Sequence, residues 1–80
     1  MKATETLLTI GELADRSGFA TSAIRFYDKE GLVPAERSSG NQRRYPRSAL
    51  RRLAFIRAAQ NIGIPLTEIR GALAELPDTR

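Results

Sequence analysis

Thr9-Ile10-Gly11-Glu12-Leu13-Ala14-Asp15-Arg16-Ser17-Gly18-Phe19-Ala20-Thr21-Ser22-Ala23-Ile24-Arg25-Phe26-Tyr27-Asp28-Lys29-Glu30-Gly31 is the stretch that decides the fold. Its opening fits a capping box: the Thr9 hydroxyl accepts from the first turn, and Glu12, three residues on, reaches back. Leu8 and Leu13 flank the box as a hydrophobic staple, and Ile10, Leu13 and Ala14 share one helical face. Gly18 supplies the left-handed residue that stops this helix, leaving Ile10–Ser17 at about two turns, too short to persist alone. A second helix follows at once. Thr21 or Ser22 caps it and Gly31 stops it, a length of roughly nine or ten residues. Ile24 and Tyr27 mark one face, with Leu32 just beyond the end, whereas Ser22, Arg25, Phe26 and Lys29 mark another at i, i+3, i+4, i+7. Two short helices joined through Ser17-Gly18-Phe19-Ala20 predict a helix-turn-helix.

Outward from that pair, Val33-Pro34 breaks the helical pattern and Ser38-Ser39-Gly40-Asn41 is a turn cluster. Arg37 on one side and Gln42-Arg43-Arg44-Tyr45 on the other predict a small β-hairpin wing, although neither arm alternates apolar and polar residues. A third helix is expected from about Arg47 to Ile62, with Leu50, Leu53, Ala54, Ile56, Ala58 and Ile62 as a broad apolar face and Gly63 at its end. Its first turn has no acid and Arg47 opposes the helix dipole, so a phosphate bound there would relieve the penalty. Pro65 and Glu68 open a fourth helix. Leu66, Ile69, Leu73 and Leu76 form its stripe, Leu76-Pro77 closes it, and Gly71 within it predicts a close helix approach. The fold class is mostly α: a winged helix-turn-helix of two short helices, a small β wing and two further helices. It occupies residues 9–77, between an N-terminal tail, 1–8, and a short tail, 78–80.

Charge is concentrated in the middle of the chain. The 80 residues hold 13 bases and 9 acids, a net charge of +4. Residues 1–36 carry four bases and six acids, and residues 58–80 two bases and three acids. Between them, residues 37–57 carry seven arginines and no acid. Repulsion within that stretch is unrelieved by its own sequence, which points to a polyanion site, and the arginine fork suits phosphates and guanine edges. Cysteine and histidine are both absent. That removes disulfides, thiolate metal sites, cysteine nucleophiles and imidazole bases. Glu12 and Asp15 are spaced for one helix face, but Glu12 serves as a cap and no apolar pocket surrounds them. No phosphate-binding G-x-x-x-x-G-K-[ST] loop or metal-spaced cluster occurs, so an enzyme is not expected. No apolar run approaches the ~20 residues that span a bilayer, and polar Met1–Thr6 does not begin a signal peptide. No membrane partner and a cytoplasmic location are expected.

Thr9-Ile10-Gly11-Glu12-Leu13-Ala14, Ala23-Ile24-Arg25-Phe26-Tyr27-Asp28-Lys29-Glu30-Gly31-Leu32 and Arg43-Arg44-Tyr45, in this order and spacing, resemble the DNA-binding domain of the MerR family of transcription regulators. Within it, Arg37-Ser38-Ser39-Gly40-Asn41-Gln42-Arg43-Arg44-Tyr45 and Ala59-Gln60-Asn61-Ile62-Gly63-Ile64-Pro65-Leu66 resemble the redox-sensing, SoxR-like branch. The resemblance covers about residues 7–77. It implies a dimer on a pseudo-palindromic promoter with a long spacer, bending or twisting that DNA so that RNA polymerase can engage it. It also implies that Thr21, Ser22, Arg25, Phe26 and Tyr27 lie on or beside the major-groove helix. Arg37, Asn41, Gln42, Arg43, Arg44 and Tyr45 would form the wing on the phosphates, with Arg47 beyond it.

Three departures from the family pattern stand out. Family members continue into a long dimerisation helix, whereas this sequence reaches Arg80. SoxR-like proteins carry a cysteine cluster holding a [2Fe–2S] centre, expected here only in a longer parent; no cofactor is expected in these 80 residues. The third helix opens with Ser48-Ala49 where the family often has an acid. Two other readings stay open at the level of sequence: an excisionase-like architectural factor that bends DNA, and a small helical adaptor whose basic face docks an acidic protein.

Overall fold

In the computed structural model, which describes residues 7–37, 40 and 42–75, the chain runs α1 (Ile10–Ser17), α2 (Thr21–Lys29), β1 (Glu36–Arg37), β2 (Arg43–Arg44), α3 (Ser48–Asn61) and α4 (Leu66–Ala74). The capping box forms as expected. The Glu12 amide donates to Thr9 Oγ1 at 3.1 Å and the Thr9 amide donates to Glu12 Oε1 at 2.9 Å. Gly18 closes α1 at φ 80°, a left-handed conformation that glycine adopts without a Cβ penalty.

The start of α2 differs from expectation. Its cap is Ala20, extended at φ −69°, ψ 152°, with no side-chain acceptor; Thr21 and Ser22 are the first two helical residues. The turn brings this about: the Phe19 amide donates to Ser17 Oγ at 3.1 Å, so the turn closes early and the helix begins one residue sooner. At the other end, the Gly31 amide donates to the Asp28 carbonyl and the Leu32 amide to the Tyr27 carbonyl. This pattern ends α2 and turns Leu32 and Val33 into the core.

The wing is a two-stranded antiparallel ribbon in which Glu36 faces Arg44 and Arg37 faces Arg43. Its root is tied to the entry of α1. The Leu8 amide donates to the Tyr45 carbonyl at 2.7 Å, and the Tyr45 amide donates to the Leu8 carbonyl at 2.8 Å. Leu8 and Tyr45 are both buried, so the residue before the helix-turn-helix and the residue after the wing form one wall of the core. Leu13, Ile24 and Tyr27 supply its centre, α3 lies across them, and α4 closes it with Ile69 and Leu73.

The inward face of α3 is not the one expected. Ala49, Leu53, Ile56 and Ala59 are buried, with Leu50 and Phe55 partly so; Ala54 and Ala58 are exposed, and Ile62 is 76% exposed. The spacing 49, 53, 56, 59 follows the helical period, and positions 54, 58 and 62 fall about 100° or more round from it. The first turn of α3 uses amides at Ala49 and Leu50 to bond the Pro46 and Arg47 carbonyls. Two of the donors that a phosphate there would need are therefore taken. In α4, a Cβ on exposed Gly71 would meet nothing within 4 Å, which removes the expected close approach. Leu76-Pro77 lies outside the described residues, as do residues 1–6 and 78–80 of the two tails; α4 ends at Ala74.

Two arginines hold these layers together from behind. Arg52 Nε donates to the Leu32 carbonyl at 2.7 Å, and Arg70 on α4 bonds both the Glu30 carbonyl and, at 2.9 Å, its carboxylate. Arg70 satisfies the carbonyl of the residue that caps α2, a place where cations are favoured by the helix dipole, and Arg52 does the same for the segment that follows.

Candidate nucleic-acid interface

The outward face of α2 and the wing meet in a groove of about 510 Å³, lined by Ile10, Arg25, Asp28, Lys29, Arg43 and Tyr45. Helical spacing puts Arg25 and Lys29, four residues apart, on the same rim. The opposite rim is formed by Arg43 and Tyr45 at the second strand of the wing and just beyond it, with Tyr45 anchored to Leu8 beneath.

Asp28 joins the two sides. Its Oδ2 accepts from Arg43 Nε at 2.8 Å and from the Tyr45 hydroxyl at 2.9 Å, and its Oδ1 accepts from Arg43 Nη2 at 2.9 Å. Burial pushes the Asp28 carboxyl pKa up. The hydrogen bonds from Arg43 and Tyr45, with the charges of Arg43 and Arg37, outweigh that and hold it below the usual carboxylate range. The same contacts act oppositely on the phenol: burial and the neighbouring Asp28 carboxylate push the Tyr45 pKa up to about 12. The carboxylate also offsets a cost within the wing, because Arg37 and Arg43 face each other across the ladder as like charges.

The predicted site residues divide. Ser22, Arg25 and Phe26 are exposed along the outward face of α2, and Thr21 is half-buried at its start. Phe26 is 47% exposed and packs edge-on against Tyr27, with ring centroids 5.5 Å apart. Tyr27 itself is a core residue. Its ring meets Phe19 edge-on at 5.8 Å, and its hydroxyl accepts from Gln60 Nε2 at 3.0 Å. Tyr45 is likewise buried: α2 turns Tyr27 inward with Ile24, while Tyr45 pairs with Leu8 and reaches the groove through its hydroxyl on Asp28.

On the wing, Arg37 and Arg43 are exposed and Arg44 is half-buried. Arg44 lies along its own strand, with Nη2 donating to Gln42 Oε1 at 2.7 Å and Nη1 donating to the Arg43 carbonyl at 3.0 Å. Arg47 is exposed at the start of α3. Asn41 lies outside the described residues.

Sequence reasoning missed three groove residues: Ile10, Asp28 and Lys29. Lys29 had a visible signal, since it lies one turn beyond Arg25. Asp28 was visible only as a partner for Arg25 at i+3, and the fold gives it to Arg43, fifteen residues away. The arginine-rich stretch also proves to be two populations. Arg43 lines the groove, whereas Arg52 reaches Leu32 and Arg57 lies 4.3 Å over the Phe19 ring.

Comparison with known proteins gives one consistent picture. The family profile described as "MerR HTH family regulatory protein" matches residues 8–76. A transcriptional activator SoxR homolog of Chromobacterium violaceum is 50% identical over 76 residues, covering 95% of this chain and 51% of that protein. The crystal structure of the transcriptional regulator SkgA from Caulobacter crescentus superposes with a TM-score of 0.78 at 29% identity, over 96% of this chain and 55% of that one. The crystal structure of HiNmlR, described as a MerR family regulator lacking the sensor domain and bound to promoter DNA, gives 0.75 at 30% identity, over 86% and 56%. The chain spans about half the length of the curated relatives it matches.

Proposed function

This chain belongs to the MerR family of helix-turn-helix regulatory proteins, and from that premise we propose that it is the DNA-binding domain of a transcription regulator that reads promoter DNA through the α2–wing groove. The observation that carries the reading is the groove itself: Arg25 and Lys29 on one rim and Arg43 on the other, around a carboxylate already neutralised from within. In this reading α2 enters the major groove. Arg25, with Thr21 and Ser22 near the helix start, reads base edges, and Phe26 packs on a sugar or the wing. Arg37, Asn41, Gln42, Arg43, Arg44 and Arg47 take phosphates, while Tyr27 and Tyr45 act from the core. Ala20 leaves the first amides of α2 without a side-chain acceptor, a favourable place for one backbone phosphate.

The wing sets the angle of approach, so part of the specificity is DNA deformation at steps the protein does not touch. In the full regulator two such domains act as a dimer on a promoter, bend or twist it, and let RNA polymerase engage, in the cytoplasm; among the described residues no helix is long and apolar enough to cross a membrane. The SoxR-like sequence of the wing and of residues 59–66 supports a redox-responsive parent. A [2Fe–2S] cluster would need cysteine ligands, and these 80 residues contain none; any such centre belongs to a longer parent.

Selection from a randomised pool of duplexes tests the reading. The chain is expected to enrich a defined motif, and recovery of an unenriched pool would overturn sequence-specific recognition. Placing the selected site in a long promoter spacer and assaying transcription with purified polymerase then separates a promoter activator, which raises transcript yield, from an excisionase-like bender, which does not.

A further inference from the structure

Asp28 is the least expected member of the groove, since a carboxylate beside a phosphate-binding surface repels its ligand. Its geometry explains its presence. The Asp28 side chain is 9% exposed and that of Arg43 is 51% exposed, so the acid is hidden behind the base. A guanidinium carries five N–H donors in a planar fork. Asp28 takes two of them, on the Nε and Nη2 edge. Three donors on Nη1 and Nη2 are not used by this carboxylate, and they form the second bidentate edge, the one matched to phosphate oxygens. Tyr45 completes the support. Its hydroxyl donates to Asp28 Oδ2, and its backbone is fixed to Leu8 at the entry of α1. The carboxylate thus connects the major-groove helix, the wing and the buried root of the wing through three hydrogen bonds.

Building on the proposed DNA-reading role of this groove, we infer that Asp28 is a positioning residue for DNA discrimination: braced by Tyr45, it fixes the Arg43 guanidinium and the wing against α2, so that both elements meet one duplex in a single register. Arg43 grips phosphate with its outer edge while its inner edge stays on Asp28. A wing freed from Asp28 still carries its arginines and still attracts DNA, but it no longer fixes where α2 sits over the bases.

Three roles for Asp28 predict different results. As a source of repulsion only, its removal would tighten every duplex alike. As a structural ion pair only, its removal would weaken every duplex in proportion to the unfolded fraction. As a positioning residue, its removal lowers affinity for the selected site while binding to unselected DNA holds or rises.

The experiment measures Kd by fluorescence anisotropy, at fixed salt, for duplexes the wild-type chain selects from a randomised pool and for the unselected pool. Asp28→Asn is expected to reduce the ratio of the two affinities about tenfold, within the discrimination carried by one bidentate contact. Tyr45→Phe keeps the buried ring and removes only the bracing hydroxyl; it is expected to shift the ratio the same way, by about threefold. It carries the test if Asp28→Asn does not fold. An unchanged ratio in the variants that fold overturns the positioning role, whether the two affinities rise or fall together. Absence of any selected motif with the wild-type chain overturns the DNA reading beneath it, and so separates the two failures.

Discussion

The arginines of the wing and those of α3 and α4 look alike in the sequence and do opposite work in the structure. Arg43 presents half its side chain outward beside Arg25 and Lys29, and its internal partner is an acid hidden behind it. Arg52, Arg57 and Arg70 turn to the protein itself, bonding the carbonyls of Leu32 and Glu30 and covering the Phe19 ring. The difference teaches that a run of like charges is not in itself a binding surface. What separates Arg43 from the rear arginines is the partner within reach. The turn after α2 presents the Leu32 and Glu30 carbonyls to Arg52 and Arg70, the Phe19 ring lies under Arg57, and Arg43 meets the Asp28 carboxylate.

Substitutions break this comparison most strongly at the front. Arg25→Ala is expected to cut discrimination between the selected duplex and the unselected pool by about 10- to 100-fold, the loss of one bidentate base contact. Its urea midpoint should move by no more than about 0.5 kcal/mol equivalent, as for other exposed positions. Competition binding and denaturation together check both halves. Arg43→Ala is expected to weaken binding to every duplex and to lower the salt slope by about one; an unaltered slope would remove Arg43 from the phosphate grip.

At the back the pattern should invert. Arg52→Ala loses a half-buried, charge-assisted bond to the Leu32 carbonyl and is expected to cost about 1–2 kcal/mol in urea unfolding. Affinity per folded molecule should stay at the wild-type value. Arg57→Ala, which removes the cation over Phe19, is expected to cost about 0.5–1 kcal/mol with the same indifference to DNA. Loss of salt slope in either variant would place it at the front and erase the distinction.

A titration tests the support beneath the groove. The Tyr45 pKa is raised to about 12 in the folded chain, against an ordinary value of 10.0. The folded state therefore holds this proton where the unfolded state releases it. The stabilisation is fully present below about pH 10 and is lost as pH rises through about 12. Urea midpoints of wild type and Tyr45→Phe should converge over that interval, and parallel curves would mean that the hydroxyl is not held by Asp28.

What the sequence made legible was local. The capping box of α1, the glycine stops at Gly18 and Gly31 and the pairing of two short helices depend on residues within four of each other, so spacing reveals them. The cap of α2 was missed because the Ser17 hydroxyl closes the turn early, and Thr21 and Ser22, good caps by type, fall inside the helix. Long-range partnerships left no periodic trace. Asp28 with Arg43, Leu8 with Tyr45 and Arg70 with Glu30 are each brought together by the fold, and so Asp28 was left out of the site and Arg52 and Arg57 were counted with the arginine-only stretch. Ile62 was misplaced for a different reason. The apolar residues of α3 extend around much of its circumference, and composition alone does not say which stripe α1 and α4 cover.

The dependence of DNA affinity on salt tests the central claim most directly, because it counts phosphates engaged by the α2–wing surface. With about five phosphates neutralised by one chain, log K for the selected duplex should fall against log salt with a slope of about −4 to −5. A slope near zero would contradict the account, since the groove arginines would then be doing nothing to the DNA backbone.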